Sequence, residues 1–202
     1  MFKLLGRIPR GKFTLACSGG KDSMTFFSFL RKFKNDMDLA YFNHGTAHGE
    51  EAERFLKEQS IKFSIPLRIG KITRDKKKEE SPEEYWRNER YSFLESIDNP
   101  VITGQHLYDV IETWIFSSMR GRSKLIPYKR NNVLRPFLMV NKKELENWRE
   151  RNPIDWIEDP SNQDVHYTRN LIRHQMMNVA FQINPGLETM IRKKLINEWN
   201  DK

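Results

Sequence analysis

Six consecutive residues near the N-terminus have the composition of a phosphate-binding loop. They are Ser18, Gly19, Gly20, Lys21, Asp22 and Ser23. Glycines let backbone N–H groups converge on an anion, serine hydroxyls donate to phosphate oxygens, and Lys21 adds a positive charge. Asp22 can hold Mg²⁺ or orient the loop. An isolated SGG would favour a simple glycine turn with a capping aspartate, but the complete run between a strand and a helix predicts a pyrophosphate cradle.

A second candidate group combines two carboxylates and a histidine. Asp109 and Glu112 lie three residues apart on a predicted helix, so both project from one face. Such a pair can bind an ammonium group and accept a proton from an amine nucleophile. On spacing alone, a solvated helix face is the preferred interpretation. His106 lies at the strand-to-helix junction, where it could contact nucleotide or amine, or serve as a capping or core histidine.

Cations form two further candidate groups. Arg87 and Arg90 share one helix face, where they could contact phosphates or pair with nearby glutamates. The segment 120–135 contains six cations, one tyrosine and no acidic residue, which suits phosphate contact and base stacking. Its candidate RNA contacts are Arg120, Arg122, Lys124, Tyr128, Lys129, Arg130 and Arg135. The alternative is a solvated basic loop.

Asn43 and His44 end the second predicted strand, where open α/β sheets bind ligands, so Asn43 is a candidate adenine or ribose contact. His48 follows four residues after His44, but without a third ligand a metal site is not expected there.

Strands and helices that would position these residues alternate along the chain. Strands are predicted over 13–17, 39–42, 63–69 and 101–104, and helices over 50–59, 81–97 and 108–119. Another helix carries Met24, Phe27, Leu30 and Phe33 after the glycine loop. A capped helix follows Asn141, and two more helices end the chain. The order predicts an α/β fold with a parallel sheet flanked by helices.

Composition limits the class of protein. The 202 residues include 35 Lys and Arg against 27 Asp and Glu, a net charge of +8 that is compatible with a polyanionic partner. Cys17 is the single cysteine, so intrachain disulfides and CxxC sites are excluded. The N-terminus lacks a signal-peptide pattern and no apolar run reaches membrane length, so we expect a cytoplasmic protein without a membrane partner.

The SGGKDS run resembles the PP-loop (N-type ATP pyrophosphatase) family, whose members cleave ATP between the α and β phosphates and adenylate a substrate oxygen. The resemblance implies a Rossmann-like PP-loop fold with a short helical C-terminal extension. It also implies ATP and Mg²⁺ as cofactors, a catalytic domain over 1–180 and a C-terminal helix over 181–202. Many PP-loop enzymes share this motif, so it does not select the substrate.

Four further segments resemble the lysidine synthetases within that family. They are FNHG (42–45), EEYWRNERY (83–91), TGQHLYDVIETWIFSSMRG (103–121), and LRPFL through WIEDPSNQDVHYTRNLIRH (134–174). This resemblance implies adenylation of the wobble cytidine C2 oxygen in an isoleucine tRNA with a CAU anticodon. Lysine then displaces AMP, giving lysidine. Other partners could include a second copy of the chain or an auxiliary tRNA-binding protein.

Residue roles follow from the same resemblance. The family's D-x-x-E-T matches Asp109, Glu112 and Thr113, which favours lysine handling over a solvated face. At least one of Arg87 and Arg90 would lie near the ATP phosphates. The RNxxRH match (169–174) would place Arg169 at the nucleotide and Arg173 at the nucleotide or tRNA.

The chain also departs from the family. Where relatives show HHxDDQAET, residues 105–113 read QHLYDVIET, so one His and one Asp are absent. Many bacterial members carry extra C-terminal domains, and we expect this chain to be a minimal form. Two alternatives stay open. The first is a tRNA thiolase of the 2-thiocytidine type, against which the absence of CxxC weighs. The second is a catalytically lapsed protein that binds tRNA and ATP.

Overall fold

A mainly parallel sheet forms the centre of the computed structural model, which describes residues 1–33 and 36–200. Its strands are β1 (Phe13–Ala16), β2 (Met37–Asn43), β3 (Leu67–Lys71), β4 (Val101–Thr103), β5 (Lys129–Arg130) and β6 (Val133–Leu134). Their order is β3-β2-β1-β4-β6-β5, and only the β5–β6 pair is antiparallel within the described residues. The predicted α/β fold class is confirmed.

Helices cover the sheet and continue beyond it. They are α1 (Lys21–Phe33), α2 (Ala47–Phe63), α3 (Pro82–Glu95), α4 (Leu107–Ser118), α5 (Lys142–Arg151), α6 (Thr168–Leu171), α7 (Met177–Ile183) and α8 (Leu187–Asn200). A short 3₁₀ helix (Pro160–Gln163) precedes α6, and a π-helical turn (Ile172–Met176) joins α6 to α7. None of the helices in the described ranges is both long and apolar enough to cross a membrane.

Local capping signals account for several helix starts. Ser81 accepts a hydrogen bond from the Glu84 N–H at the start of α3, with Pro82 in the first turn. Asn141 and Glu144 exchange both bonds of a capping box at α5. These starts agree with the sequence prediction because each depends on residues within one turn.

The third predicted strand, 63–69, is wrong in its first part. Helix α2 extends to Phe63, and Ser64 ends it in the left-handed region at φ 53°. Strand β3 therefore begins only at Leu67. A second difference lies in the predicted basic loop, where residues 129–134 form the β5–β6 hairpin at the edge of the sheet.

The C-terminal helices share a hydrophobic core with α4. Leu187, Ile191 and Leu195 of α8 are buried in the same cluster as Leu107 and Ile111. The predicted boundary between 180 and 181 falls inside α7. Residues 201 and 202 of the predicted C-terminal helix lie outside the described residues. The division into 1–180 and 181–202 stays a prediction.

Candidate nucleotide and RNA site

The glycine loop joins β1 to α1 at the carboxyl edge of the sheet. Gly19 has φ +79°, and a Cβ there would lie 3.2 Å from Phe55 and 3.3 Å from Ile157, so a side chain fits poorly. The Ile157 N–H donates to the Gly19 carbonyl at 3.0 Å, so a distant segment supports the loop. Glycine at this position therefore meets a backbone and a packing requirement together.

The two serine hydroxyls of the loop form a short chain of hydrogen bonds. Ser18 Oγ donates to Ser23 Oγ at 3.2 Å, and Ser23 Oγ donates to the Gly20 carbonyl at 2.9 Å. Ser18 and Lys21 are exposed, and Lys21 Nζ lies 5.7 Å from the centre of the Trp156 ring. Hydroxyl donors, an accessible ammonium group and the N-terminus of a 13-residue helix form a donor set that fits a pyrophosphate.

Asp22 and His106 connect this loop to the start of α4. In the neutral imidazole, His106 Nδ1 accepts the Tyr108 N–H at 3.2 Å. In both the neutral and the charged form, Nε2–H can donate to Asp22 Oδ2 at 3.2 Å. Asp109 Oδ2 accepts the His106 N–H at 2.8 Å, completing a capping box. The structure thus brings together three residues predicted separately, at the carboxyl edge of the sheet.

The charges of Asp22, His106 and Asp109 influence one another. Burial alone would lower the pKa of His106, but Asp109 and Asp22 raise it above its ordinary value. Burial alone would raise the pKa of Asp22, but the hydrogen bond and charge of His106, then the charges of Arg149 and Lys142, lower it. Asp22 is therefore held as an anion next to the phosphate loop.

Asp22 is also the residue available for Mg²⁺. No group of three His, Cys, Asp or Glu side chains in the described ranges could hold a metal ion by itself. Mg²⁺ commonly binds through one carboxylate together with phosphate oxygens and waters, so a single carboxylate beside a phosphate loop suits it. The Asp22 side chain is 44% exposed, which leaves it accessible to such a complex.

Glu112, which was predicted to bind an amine together with Asp109, is buried and paired in the structure. Its side chain is 2% exposed and both oxygens are occupied. Arg169 Nη1 donates to Oε1 at 2.7 Å, and Arg173 donates to Oε2 from Nη2 at 2.8 Å and Nε at 3.0 Å. Arg173 Nη2 also lies 3.8 Å from Asp109 Oδ1. Glu112 thus fixes two arginines predicted to face nucleotide or tRNA.

Arg87 and Arg90 lie around one tyrosine. Their guanidinium carbons are 5.1 Å and 5.8 Å from the centre of the Tyr91 ring, and neither makes an ion pair within the described residues. Desolvation lowers the pKa of both, Tyr91 partly opposes this, and nearby arginines including Arg169 lower it further. Although neighbouring groups partly desolvate the two guanidinium groups, both residues remain exposed, so this cluster is a concentrated positive surface open to anions.

The prediction of Arg135 as an RNA contact is wrong. The residue is 1% exposed, and its guanidinium donates to Gln105 Oε1 at 2.6 Å, the Pro127 carbonyl at 2.8 Å and the Tyr91 hydroxyl at 2.8 Å. A buried guanidinium with three protein acceptors cannot reach a phosphate on the surface. Arg135 instead joins the β5–β6 hairpin to α3.

Other members of the basic segment differ in their surroundings. Arg120, Arg122, Lys124 and Lys129 are exposed. Arg130 pairs with Glu95 at 2.7 Å. Tyr128 is half-buried, and its hydroxyl donates to the Arg7 carbonyl at 3.0 Å. Its ring packs edge-on against Trp199, with the ring centres 4.5 Å apart. The exposed cations keep their predicted role open, whereas Tyr128 is engaged inside the protein.

The structure corrects the prediction for the side chain of Asn43. The residue is 1% exposed, and its amide donates to Glu50 and Glu53, each at 2.9 Å. Its Oδ1 accepts the Gly45 N–H at 2.8 Å. The side chain therefore shapes the turn after β2 and has no free group for adenine or ribose.

Arg149 on α5 is a residue of the site that the sequence did not indicate. Its side chain is 10% exposed, and Nη1 lies 3.1 Å from Thr25 Oγ1 and 3.5 Å from Asp22 Oδ1. No spacing pattern indicates this contact because 127 positions separate Arg149 from Asp22.

A known protein family matches most of the chain. The family model described as a PP-loop domain matches residues 1–180. The chain belongs to the PP-loop domain family.

Particular relatives are tRNA-modifying enzymes by name. The chain is 31% identical to tRNA(Ile)-lysidine synthase of Persephonella marina over 86% of this chain and 42% of that protein. It is 30% identical to the Thermotoga maritima protein of the same name over 88% of this chain and 47% of that protein. The chain thus spans less than half the length of these curated relatives.

Among solved structures, the chain is similar to the U34-tRNA thiolase NcsA from Methanococcus maripaludis with its [4Fe-4S] cluster. The TM-score is 0.73, and the match covers 97% of this chain and 76% of that one. Identity is 14%, so this similarity supports the fold alone.

Proposed function

We propose that this chain carries the catalytic unit of a tRNA(Ile)-lysidine synthetase. In this reaction the C2 oxygen of the wobble cytidine attacks the α-phosphate of ATP, and pyrophosphate leaves. The ε-amine of lysine then attacks C2 and AMP leaves. The observation that carries the proposal is the glycine loop with Asp22 and His106 at its edge, in a chain about 30% identical to proteins named for this activity.

The first step would depend on the loop. Backbone N–H groups, Ser18 and Ser23 would bind the leaving pyrophosphate, and Lys21 would offset its charge. Mg²⁺, held by Asp22 with phosphate oxygens, would supply charge neutralisation during transfer. The hydrogen bond from His106 would keep the Asp22 carboxylate directed at the loop.

The second step would depend on Asp109 more than on Glu112. Asp109 is 27% exposed, and its Oδ1 has only a long contact with Arg173 at 3.8 Å. It can therefore accept hydrogen bonds from the lysine amine and take up its proton. Glu112 would act indirectly by holding Arg169 and Arg173, because its own oxygens are already bonded.

The arginine surface would bind the polyanionic substrates. Arg87 and Arg90 lack carboxylate partners among the described residues and lie near Arg169, so phosphates of ATP or of the anticodon loop suit them. Exposed Arg120, Arg122, Lys124 and Lys129 would extend this surface along the tRNA. A second copy of the chain or an auxiliary protein could add further tRNA contacts.

The test is incubation of the protein with ATP, labelled lysine and bulk tRNA, followed by digestion to nucleosides. We expect a labelled lysidine nucleoside with the wild type and none with Asp22→Asn. Asp98→Asn is the matched control, because Asp98 is an exposed acid between α3 and β4, at the opposite end of the strands from the glycine loop. Absence of label with the wild type and a tRNA carrying the CAU anticodon would refute the proposal.

Thiolation is the second candidate, since the SGGKDS motif resembles that of PP-loop enzymes in general and does not select the substrate. Cys17, the single cysteine, is buried, so the chain by itself offers no set of thiolates for a cluster. A parallel reaction with a labelled sulfur donor separates the two activities. If neither labelled product forms and no pyrophosphate is released, the protein only binds tRNA and nucleotide.

A further inference from the structure

Arg149 reaches the phosphate loop from the last turn of α5. It is nine-tenths buried, and one nitrogen makes both of its polar contacts, to Thr25 Oγ1 at 3.1 Å and to Asp22 Oδ1 at 3.5 Å. Buried guanidinium groups are costly unless they are paired, so this side chain is constrained to this position.

The contact with Thr25 continues into the loop. Thr25 Oγ1 donates to the Lys21 carbonyl at 2.7 Å, so its oxygen is an acceptor for Arg149. The relay from Arg149 through Thr25 to Lys21 fixes the first turn of α1. This turn presents the backbone N–H groups that would bind phosphate.

Asp22 is thereby held from two sides. His106 at the start of α4 contacts Oδ2 at 3.2 Å, and Arg149 contacts Oδ1 at 3.5 Å. The two contacts come from separate elements, so together they define the plane of the carboxylate. We propose that Arg149 is a positioning residue that orients Asp22 and the first turn of α1 for the phosphates of a bound nucleoside triphosphate. The inference rests on the proposed use of ATP, but not on the identity of the second substrate.

Packing of α5 does not depend on Arg149. Leu145 is fully buried, the capping box at Asn141 starts the helix, and Trp148 Nε1 donates to Ser28 Oγ at 3.3 Å. Trp148 also packs against Phe29 at a ring distance of 5.1 Å. Loss of the guanidinium should therefore leave the helix in place, so an effect on nucleotide binding would report positioning.

The test is calorimetric titration of ATP with Mg²⁺ in the absence of tRNA, for which no turnover is needed. We expect Arg149→Gln to weaken binding about tenfold, since hydrogen bonds to charged groups are of that strength. Arg149→Lys keeps a charge and one donor centre, so it should recover to within about threefold of the wild type. The control is Arg151→Gln, an exposed arginine on the same helix, which should bind as the wild type does.

Equal ATP affinity in folded Arg149→Gln and wild-type protein would overturn the inference. If Arg149→Gln does not fold, the effect of Arg149→Lys is compared in wild-type and Asp22→Asn backgrounds. An effect present only in the wild-type background supports positioning of Asp22, and equal effects overturn it.

Labelled lysine separates this inference from the proposed function. Wild-type protein that binds ATP but forms no lysidine would refute the proposed function while the Arg149 comparison stands. Wild-type protein that binds no ATP would overturn both.

Discussion

Asp22 and Glu112 are both acids of the candidate site, yet their surroundings are opposite. The Asp22 side chain is 44% exposed, and its contacts with His106 and Arg149 are 3.2 Å and 3.5 Å long. The Glu112 side chain is 2% exposed, with three donors from two arginines at 2.7 to 3.0 Å. The first carboxylate can exchange its partners for a ligand, whereas the second has no free oxygen.

This difference separates two uses of a negative charge. A carboxylate with long, accessible contacts keeps its capacity to bind metal or amine. A buried carboxylate with short charged bonds stabilises the protein around it, and its loss leaves cations without partners. We therefore expect substitution of Asp22 to affect activity and substitution of Glu112 to affect stability.

The largest effect is expected for Asp22→Asn. Because the amide cannot supply the charge that holds a metal or balances the loop, pyrophosphate release should fall about 100-fold or more. Thermal stability should fall less than in Glu112→Gln, since Asp22 is accessible to water and its contacts with His106 and Arg149 are longer. Release is measured with saturating ATP, lysine and tRNA, with Asp98→Asn as control. Activity within about threefold of the wild type would contradict the comparison.

Glu112→Gln should destabilise the protein by about 1–3 kcal/mol, because Arg169 and Arg173 lose charged acceptors. Both arginines are about one-third exposed, so water limits the cost. Urea denaturation measures the change, and Glu146→Gln, an exposed acid, is the control. Unchanged stability with lost activity would show that Glu112 acts directly on a substrate.

The pair of His106 with Asp22 and Asp109 predicts a pH effect on stability. The pKa of His106 is raised in the folded protein, so its stabilising contribution is complete below the ordinary pKa of about 6.5. It is lost as pH rises through the higher folded value. His106→Gln should remove this part of the pH dependence of the melting temperature, whereas His166→Gln, at a side chain 94% exposed, should not. Parallel profiles for wild type and His106→Gln would contradict the assignment.

The smallest effect is expected for an exposed cation of the basic segment, which is compared with an exposed cation elsewhere on the surface. Arg122→Gln should weaken tRNA binding and reduce the salt slope by about 0.9 if the residue contacts one phosphate. Filter binding at several salt concentrations measures this slope. Lys143→Gln, an exposed cation on α5, is the control. Identical slopes for both variants would remove Arg122 from the contact surface.

Features carried by adjacent residues were predictable from sequence. The glycine loop lies between β1 and α1 as expected, and Ser81 and Asn141 cap the helices predicted to begin there. Each depends on atoms within one turn of chain, where spacing determines geometry. The end of α2 was misplaced because Ser64, not a glycine, adopts the left-handed conformation.

Contacts between distant residues could not be predicted in the same way. Glu112 is hydrogen-bonded to Arg169 and Arg173, which are 57 and 61 residues away in the sequence. Arg149 contacts Asp22 although 127 positions separate them. In the sequence, Arg135 is indistinguishable from the surface cations of its segment, yet it is buried beside the β5–β6 hairpin. Tertiary packing decides which charges are free for a ligand, and residue spacing does not contain that information.

The most direct test compares wild type, Asp22→Asn and Asp109→Asn in one reaction with ATP, labelled lysine and tRNA, scoring pyrophosphate release and labelled nucleoside together. We expect both products from the wild type, neither from Asp22→Asn, and pyrophosphate without labelled nucleoside from Asp109→Asn. Labelled lysidine from Asp22→Asn at the wild-type rate, or equal losses of both products in Asp109→Asn, would contradict the division of roles between the two acids.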